Sequence, residues 1–287
     1  MSVPNDLQKI VDQMETAEGF EVLEYSSLSG GSINNVYLLK TTLGERVIKL
    51  NKASEFPGMF EAEKEGLESL RSSKTIDVPE AFSCGTINST SYLLLEYKQE
   101  GKPLPDFPRI FAEDLAALHK NSAPEFGFHS SNYIGSLPQY NGKETTAADF
   151  YIHQRIEPQI KMASERGFSF SDLPTIYKNM ATEIPNEKPA LIHGDLWSGN
   201  YLVNSDGRPC LIDPAVCYGP REMDLAMMKL FGGFSEEIFR NYEELFPLEP
   251  GFQQRIPLWQ LYYLLVHLNI FGSSYLSRVT GILNTYT

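Results

Sequence analysis

Residues 191–203 read LIHGDLWSGNYLV and residues 209–215 read PCLIDPA. The first run contains His-x-Asp-x-x-x-x-Asn as His193, Asp195 and Asn200, and the second carries apolar Leu211 and Ile212 straight into Asp213. An Asp that can take up a hydroxyl proton, an Asn five residues later and a further Asp at a strand end are groups that phosphoryl transfer requires. The protein must align an attacking oxygen with phosphorus and offset the charge spreading over the phosphoryl oxygens, and hard Mg²⁺ does the second through oxygen ligands. Asn200 and Asp213 offer such oxygens, while Asp195 stays free of the metal, where the proton must go. Singly, Asp195 and Asn200 also read as turn formers and Asp213 as a strand-end cap; the joint spacing argues for chemistry.

A loop of this kind needs elements to hold ATP against it. Lys49 lies in the strand VIKL, which follows a small polar turn of Gly30, Gly31, Ser32, Ile33 and Asn34. Phe60, Glu63, Leu67 and Leu70 then share one helix face, so Glu63 is a carboxylate in an apolar stripe and needs a cationic partner. A strand Lys held by a helix Glu is the expected clamp on nucleotide phosphates. The glycine turn is weaker: it lacks the full G-x-G-x-x-G and also reads as a plain hairpin turn. No G-x-x-x-x-G-K-[ST] occurs, which argues against a Walker-type site. Glu96 and Tyr97, just before a proline-rich linker, would offer backbone groups to adenine or simply end a strand.

The pattern predicts an α+β fold of two lobes, like that of protein kinases. Residues 1–97 form a β-rich nucleotide-binding lobe, 98–108 a hinge, and 109–287 a mainly helical catalytic and substrate-binding lobe. Strands are predicted at 22–28, 36–40, 46–50, 81–86 and 91–97; past the hinge only 190–212 reads as strand and turn. Continuous helices are predicted at 110–120 and 147–164. The stretch 256–277 lacks Asp, Glu, Lys and Arg, but Pro257, Gln260, His267 and Asn269 mark a buried helix rather than a membrane span. Its Trp259–Tyr263 segment is core or interface, with core favoured; His267 and Asn269 either reach the cleft or are satisfied core groups.

The 287 residues are 42% hydrophobic and 21% charged, ordinary globular composition. With 24 basic and 37 acidic residues the net charge is −13, which disfavours nucleic acid and anionic membrane as partners and permits a cationic substrate. Cys84, Cys210 and Cys217 form no metal or disulfide framework, and the N-terminal residues show no secretory signal, so a reducing, cytoplasmic location is expected.

Beyond these motifs, the runs GGSINNVY, VIKL, MFEAE, NYIGSLPQYN, DFYIHQRIEPQ, HGDLWSGN, IDPAVCYGPREMDLAMMKLFGGF and PGFQQRIPLWQLYYLLVHLNIFGSSY resemble the fructosamine kinase (ketosamine 3-kinase) family. This family lies within the aminoglycoside phosphotransferase and choline kinase-like superfamily, and the likeness covers nearly the whole chain. The resemblance implies ATP-dependent phosphorylation of the 3-hydroxyl of a ketosamine, small or protein-bound, with a role in deglycation. By position it implies Asp195 as catalytic base, Asn200 and Asp213 as Mg²⁺ ligands, Lys49 and Glu63 as phosphate clamp, and Gly30–Asn34 as the loop over the phosphates. His193 and Asp224 look like the scaffold of the catalytic loop, and Trp197 like a sugar-facing aromatic or a packed core ring; His267 is carried as a substrate candidate. Ser32 stands where some relatives carry a redox-sensitive Cys, so no thiol switch is expected, and Cys217 is expected to pack. Rival readings are a kinase for another cationic alcohol, such as an aminoglycoside or choline, and a catalytically inactive nucleotide-binding protein. The sugar and the oligomeric state are left open.

Overall fold

The computed structural model describes residues 5–28 and 33–287, so the expected loop residues Gly30, Gly31 and Ser32 lie outside the described residues. Helix α1 (Asn5–Glu18) precedes β1 (Val22–Leu28), β2 (Asn35–Thr41) and β3 (Gly44–Lys52); α2 (Met59–Ser73) leads to β4 (Ala81–Ile87) and β5 (Thr90–Glu96). The five strands form one antiparallel sheet in the order β1-β2-β3-β5-β4. Side chains alternate across its faces. Ile48, Leu50 and Leu94 pack in one cluster with Leu7, Ile10, Val11 and Met14 of α1. Val47, Leu93 and Leu95 belong to the opposite face with Phe60, Leu67 and Leu70 of α2. Lys49, paired with Leu93, therefore points toward α2 by the same period of two that buries its neighbours.

Beyond the sheet come α3 (Phe107–His119), a hairpin of β6 (Asn132–Ile134) and β7 (Leu137–Gln139), α4 (Ala147–Tyr151), a π-helical segment (Ile152–Ile156), α5 (Glu157–Glu165) and α6 (Leu173–Glu183). Short strands β8 (Ala190–Ile192), β9 (Tyr201–Val203), β10 (Pro209–Leu211) and β11 (Cys217–Gly219) follow, then α7 (Glu222–Leu230), α8 (Glu236–Leu245), α9 (Phe252–Phe271) and α10 (Leu276–Leu283). β9 pairs with β10, and β8 with β11, both antiparallel. An antiparallel sheet with two helices, followed by a mainly helical part, is the α+β arrangement expected of a kinase-like chain.

Four sequence expectations change. Helix α3 starts at Phe107, inside the expected hinge, because Pro108 sits in its first turn, where a missing N–H costs nothing. The single helix expected over 147–164 is interrupted by the π-helical turn, whose extra residue carries Arg155 inward without ending the helix. The hairpin β6–β7 and strand β11 are strands the sequence pattern missed, each only three residues long. The uncharged stretch does not run as one helix to 277: Gly272, at φ 87°, turns the chain after Phe271. Trp259, Tyr262 and Tyr263 are buried in the core. Among the described residues no helix is long and apolar enough to cross a membrane.

Helices α7 and α9 are locked by a buried acid. Glu222, fully buried, accepts from Arg255 Nε at 2.9 Å and Nη2 at 2.6 Å and from Trp259 Nε1 at 2.6 Å. Removing the acid would strand a mostly buried guanidinium and an indole N–H. Glu222→Ala is expected to lower the unfolding free energy by about 3–5 kcal/mol in urea denaturation; a loss below about 1 kcal/mol would show that the pair carries no such weight.

Candidate active site

Lys49 connects three parts of the chain. Its Nζ donates to Glu63 Oε1 of α2 at 2.6 Å and also to Asp213 Oδ1 in the loop after β10. Burial alone would lower its pKa, but the carboxylates of Asp213 and Glu63 outweigh burial and hold it above the ordinary lysine value, so it stays an ammonium. Burial pushes Glu63 up, the Lys49 charge draws it down, and Asp213 adds to the rise. Glu63 thus has the cationic partner its place in an apolar stripe demanded.

The catalytic-loop candidates are held by backbone bonds. Asp224, fully buried on α7, accepts the His193 amide at 2.7 Å and the Gly194 amide at 2.8 Å, and also meets His119 Nε2 at 3.2 Å. Gly194 has φ 84°, and a Cβ there would lie 2.1 Å from the carbonyl oxygen of Ala215, so no other residue fits. Tyr263 Oη donates to the Gly194 carbonyl at 3.1 Å. His193 Nε2 donates to the Ile212 carbonyl at 2.9 Å while Nδ1 accepts the Asp195 amide at 3.3 Å. Acceptance at Nδ1 requires the neutral ring, and burial lowers the His193 pKa in the same sense. His193 and Asp224 therefore shape the loop and lie beneath the cleft rather than in it.

Asp195 is pushed up to about 7, first by burial and then by the neighbouring charge of Asp213. Asn200 Nδ2 donates to the Asp195 carbonyl at 2.8 Å and to its Oδ2 at 3.1 Å, which orients the carboxylate and turns Asn200 Oδ1 away from it. Asp213 adopts φ 55°, a left-handed conformation that few non-glycine residues take up.

These groups face a single cavity of about 690 Å³, a size that suits a small ligand. Of the sequence candidates, Ile33, Asn34, Lys49, Glu63, Asp195, Trp197, Asn200, Asp213 and His267 all line it. Glu96 and Tyr97 do not: the Glu96 carboxylate accepts from Lys98 at 3.1 Å and from the Glu80 amide at 3.0 Å. Trp197 is 40% exposed, which excludes the packed-core reading, and its ring lies across Gly199, where a Cβ would come within 2.2 Å of it. His267 Nδ1 donates to the Tyr263 carbonyl at 2.7 Å, and burial lowers its pKa. Cys217 packs as expected, buried against Arg155.

Sequence reasoning missed Phe231 and Phe271, exposed rings at the cavity mouth that flank His267 at 5.0 and 5.5 Å. The available signal was the i, i+4 spacing of His267 and Phe271, one helix face. A divalent cation fits this site in one way. Among the described residues no group of three or more His, Cys, Asp or Glu could hold a metal alone. Asn200 and Asp213 offer two oxygen ligands beside an excess of carboxylates over the one ammonium, which suits Mg²⁺ completing its shell with phosphate and water oxygens.

Comparison with known proteins gives a consistent result. The family model described as fructosamine kinase matches residues 6–287. A "probable ketoamine kinase" of Enterococcus faecium is 40% identical over 263 residues, 90% of this chain and 93% of that protein. The chloroplastic protein-ribulosamine 3-kinase of Arabidopsis thaliana is 34% identical over 93% of this chain and 83% of its own. The crystal structure of a candidate fructosamine-3-kinase from Haemophilus somnus 129PT superposes with a TM-score of 0.87 at 29% identity, covering 96% of each chain.

The Asp195 environment predicts a pH-dependent stability. A carboxyl raised from 3.8 to about 7 on folding binds more protons folded than unfolded between those values, so its ionised form costs most above pH 7 and the cost fades as pH falls. In metal-free buffer, Asp195→Asn is expected to raise Tm at pH 8 by about 2–6 °C, with the difference from the parent shrinking at pH 6. An equal difference at both values would contradict the raised pKa.

Proposed function

The chain belongs to the fructosamine kinase family, and on that premise we propose that it transfers the γ-phosphoryl group of ATP to the 3-hydroxyl of a ribulosamine or fructosamine, with Asp195 taking the hydroxyl proton. One observation carries this reading: Lys49, Asp195, Asn200 and Asp213 face the same cavity as the exposed Trp197 ring. Phosphate-binding and sugar-binding chemistry thus share one space.

Lys49, held by Glu63, directs its ammonium at the α and β phosphates. Asp195 has one oxygen fixed by Asn200, and its other oxygen accepts the proton of the attacking hydroxyl; burial raises its pKa, which makes it a better acceptor than an ordinary aspartate. Asn200 and Asp213 would hold Mg²⁺, which when bound would supply the neutralisation of charge on the transferring phosphoryl group. Trp197 covers a C–H face of the sugar. His267, with Nδ1 committed to Tyr263, keeps Nε2 as an acceptor for a sugar hydroxyl.

Phosphate on C3 sits next to the ketone carbon and becomes a leaving group once C1 and C2 enolise. Phosphate departs, an imine remains, and its hydrolysis frees the amine, which is the deglycation step. A reducing compartment, the cytoplasm, fits the three cysteines Cys84, Cys210 and Cys217, each a free thiol.

An ADP-release assay with Mg²⁺ and ATP, run on ribulose-lysine, fructose-lysine, choline and kanamycin, tests the acceptor class. Turnover is expected with the ketosamines alone, reduced at least about 10³-fold in Asp195→Ala. Turnover on choline or kanamycin in preference would overturn the proposal in favour of another cationic alcohol, and ATP binding without turnover on any acceptor would favour an inactive nucleotide-binding protein.

A further inference from the structure

The run NYIGSLPQYN, residues 132–141, supplies three buried amide side chains that the reaction above does not use. Asn132, Gln139 and Asn141 are 7%, 2% and 3% exposed, and Arg155, from the π-helical turn, is 1% exposed. Asn132 Nδ2 donates to the Val216 carbonyl at 2.9 Å, and Gln139 Nε2 donates to the Ala215 carbonyl at 3.0 Å. Ala215 and Val216 lie between Asp213 and β11, where no strand neighbour satisfies them, so two side-chain amides stand in for a ladder.

Every amide in the set has its orientation dictated by its partners. Asn132 Oδ1 accepts from Gln139 Nε2 at 2.8 Å and from Asn141 Nδ2 at 3.0 Å. Gln139 Oε1 accepts from Tyr262 Oη at 2.7 Å, and Asn141 Oδ1 accepts from Arg155 Nη2 at 2.8 Å. Among the described residues Arg155 forms no ion pair; its charge lies over the rings of Phe150 at 4.5 Å and Tyr262 at 5.5 Å. The chain of donors therefore starts at a fixed cation and ends on the backbone just after Asp213. The hairpin and the residues just before it also grip the element that carries Glu63: Tyr133 Oη donates to the Pro57 carbonyl at 2.9 Å, just ahead of α2, and Ser130 Oγ donates to Glu65 Oε2 at 2.7 Å. Gly66 of α2 packs directly on Val216, 3.2 Å from where its Cβ would be.

We propose that Asn132 and Gln139, oriented by Asn141 and Arg155, are positioning residues that hold the Asp213 loop in its left-handed conformation so that the carboxylate is preset for the divalent cation. This rests on Asp213 being a metal ligand, as inferred above. The arrangement removes the freedom that a swinging loop would need: the segment after Asp213 is bonded to the hairpin and, through the Ala215 amide at 2.9 Å, to the His193 carbonyl, and Val216 packs on the face of α2 at Gly66.

The test is Mn²⁺ binding in the presence of ADP, followed by electron paramagnetic resonance, alongside steady-state kinetics over a range of Mg²⁺ concentrations. The double variant Gln139→Met/Tyr262→Phe removes the amide and its hydroxyl partner together, so no Tyr262 hydroxyl is stranded, and Tm is expected to fall only by the modest amount that the unpaired Ala215 carbonyl costs. It is expected to bind Mn²⁺ about tenfold more weakly, to lose kcat at low Mg²⁺ and recover it at high Mg²⁺, with an unchanged KM for the ketosamine. If the double variant does not fold, Gln139→Asn, one methylene shorter, withdraws the same donor and carries the same expectation. Parent-like Mn²⁺ affinity in these variants, with affinity lost in Asp213→Asn, would overturn the positioning role and leave Asp213 as ligand. Parent-like affinity in Asp213→Asn would overturn the ligand assignment itself, and the proposal with it.

Discussion

A buried ammonium group is tolerated only where carboxylates surround it, and Lys49 meets that demand with one acid from α2 and one from the loop after β10. The constraint organises the molecule. The β3 strand must present Lys49 on the α2 face, α2 must turn Glu63 inward, and the segment 212–217 must bring Asp213 within reach from the far end of the chain. Each requirement is local, yet together they join the five-stranded sheet to the helical part at one atom. The lysine also prevents the Glu63 carboxylate from being left as uncompensated buried charge.

Around this contact, the loops that do chemistry are tied down through their backbones. Asp224 takes two consecutive amides, His193 bridges to Ile212, Tyr263 reaches the Gly194 carbonyl, and Asn132 and Gln139 reach the carbonyls after Asp213. Such bonds fix dihedral angles, whereas side-chain packing alone would leave the loops free to slide. The result is a rigid polar floor with two acids of contrasting surroundings. Asp195 is partly buried at the cavity wall and pushed up toward neutral pH, while Asp213 is half-exposed and paired with Lys49. In the proposed reaction, proton uptake and cation binding fall to different carboxylates because their environments differ. At the cavity mouth the character changes to exposed aromatic rings, Trp197, Phe231 and Phe271, which suit a sugar and its amine-bearing substituent.

Much of this was legible in the sequence because it is carried by short spacings. His193, Asp195, Asn200 and Asp213 fall within twenty-one residues, and helical and strand periods are enough to turn Glu63 and Lys49 toward each other. What escaped depends on contacts between distant segments. A three-residue strand such as β6 has too few residues to show alternation, so the hairpin that fixes the Asp213 loop was invisible. The π-helical turn that aims Arg155 inward looks the same as α-helix in an apolar pattern. Phe271 reads as part of a buried helix, and Phe231 draws no functional reading, because exposure cannot be inferred from type alone. Glu96 and Tyr97 read in the sequence as offering backbone groups to adenine or simply ending a strand; β5 ends at Glu96, and neither residue lines the cavity.

The central claim is that Asp195 directs one hydroxyl of one sugar class at phosphorus. The most direct test is the product of a ketosamine labelled with ¹³C at C3, read by ³¹P and ¹³C NMR. The account predicts a phosphate signal coupled to the labelled carbon's position, formed by the parent and absent in Asp195→Asn. Phosphate on another carbon, or inorganic phosphate formed while the labelled ketosamine stays intact, would contradict it.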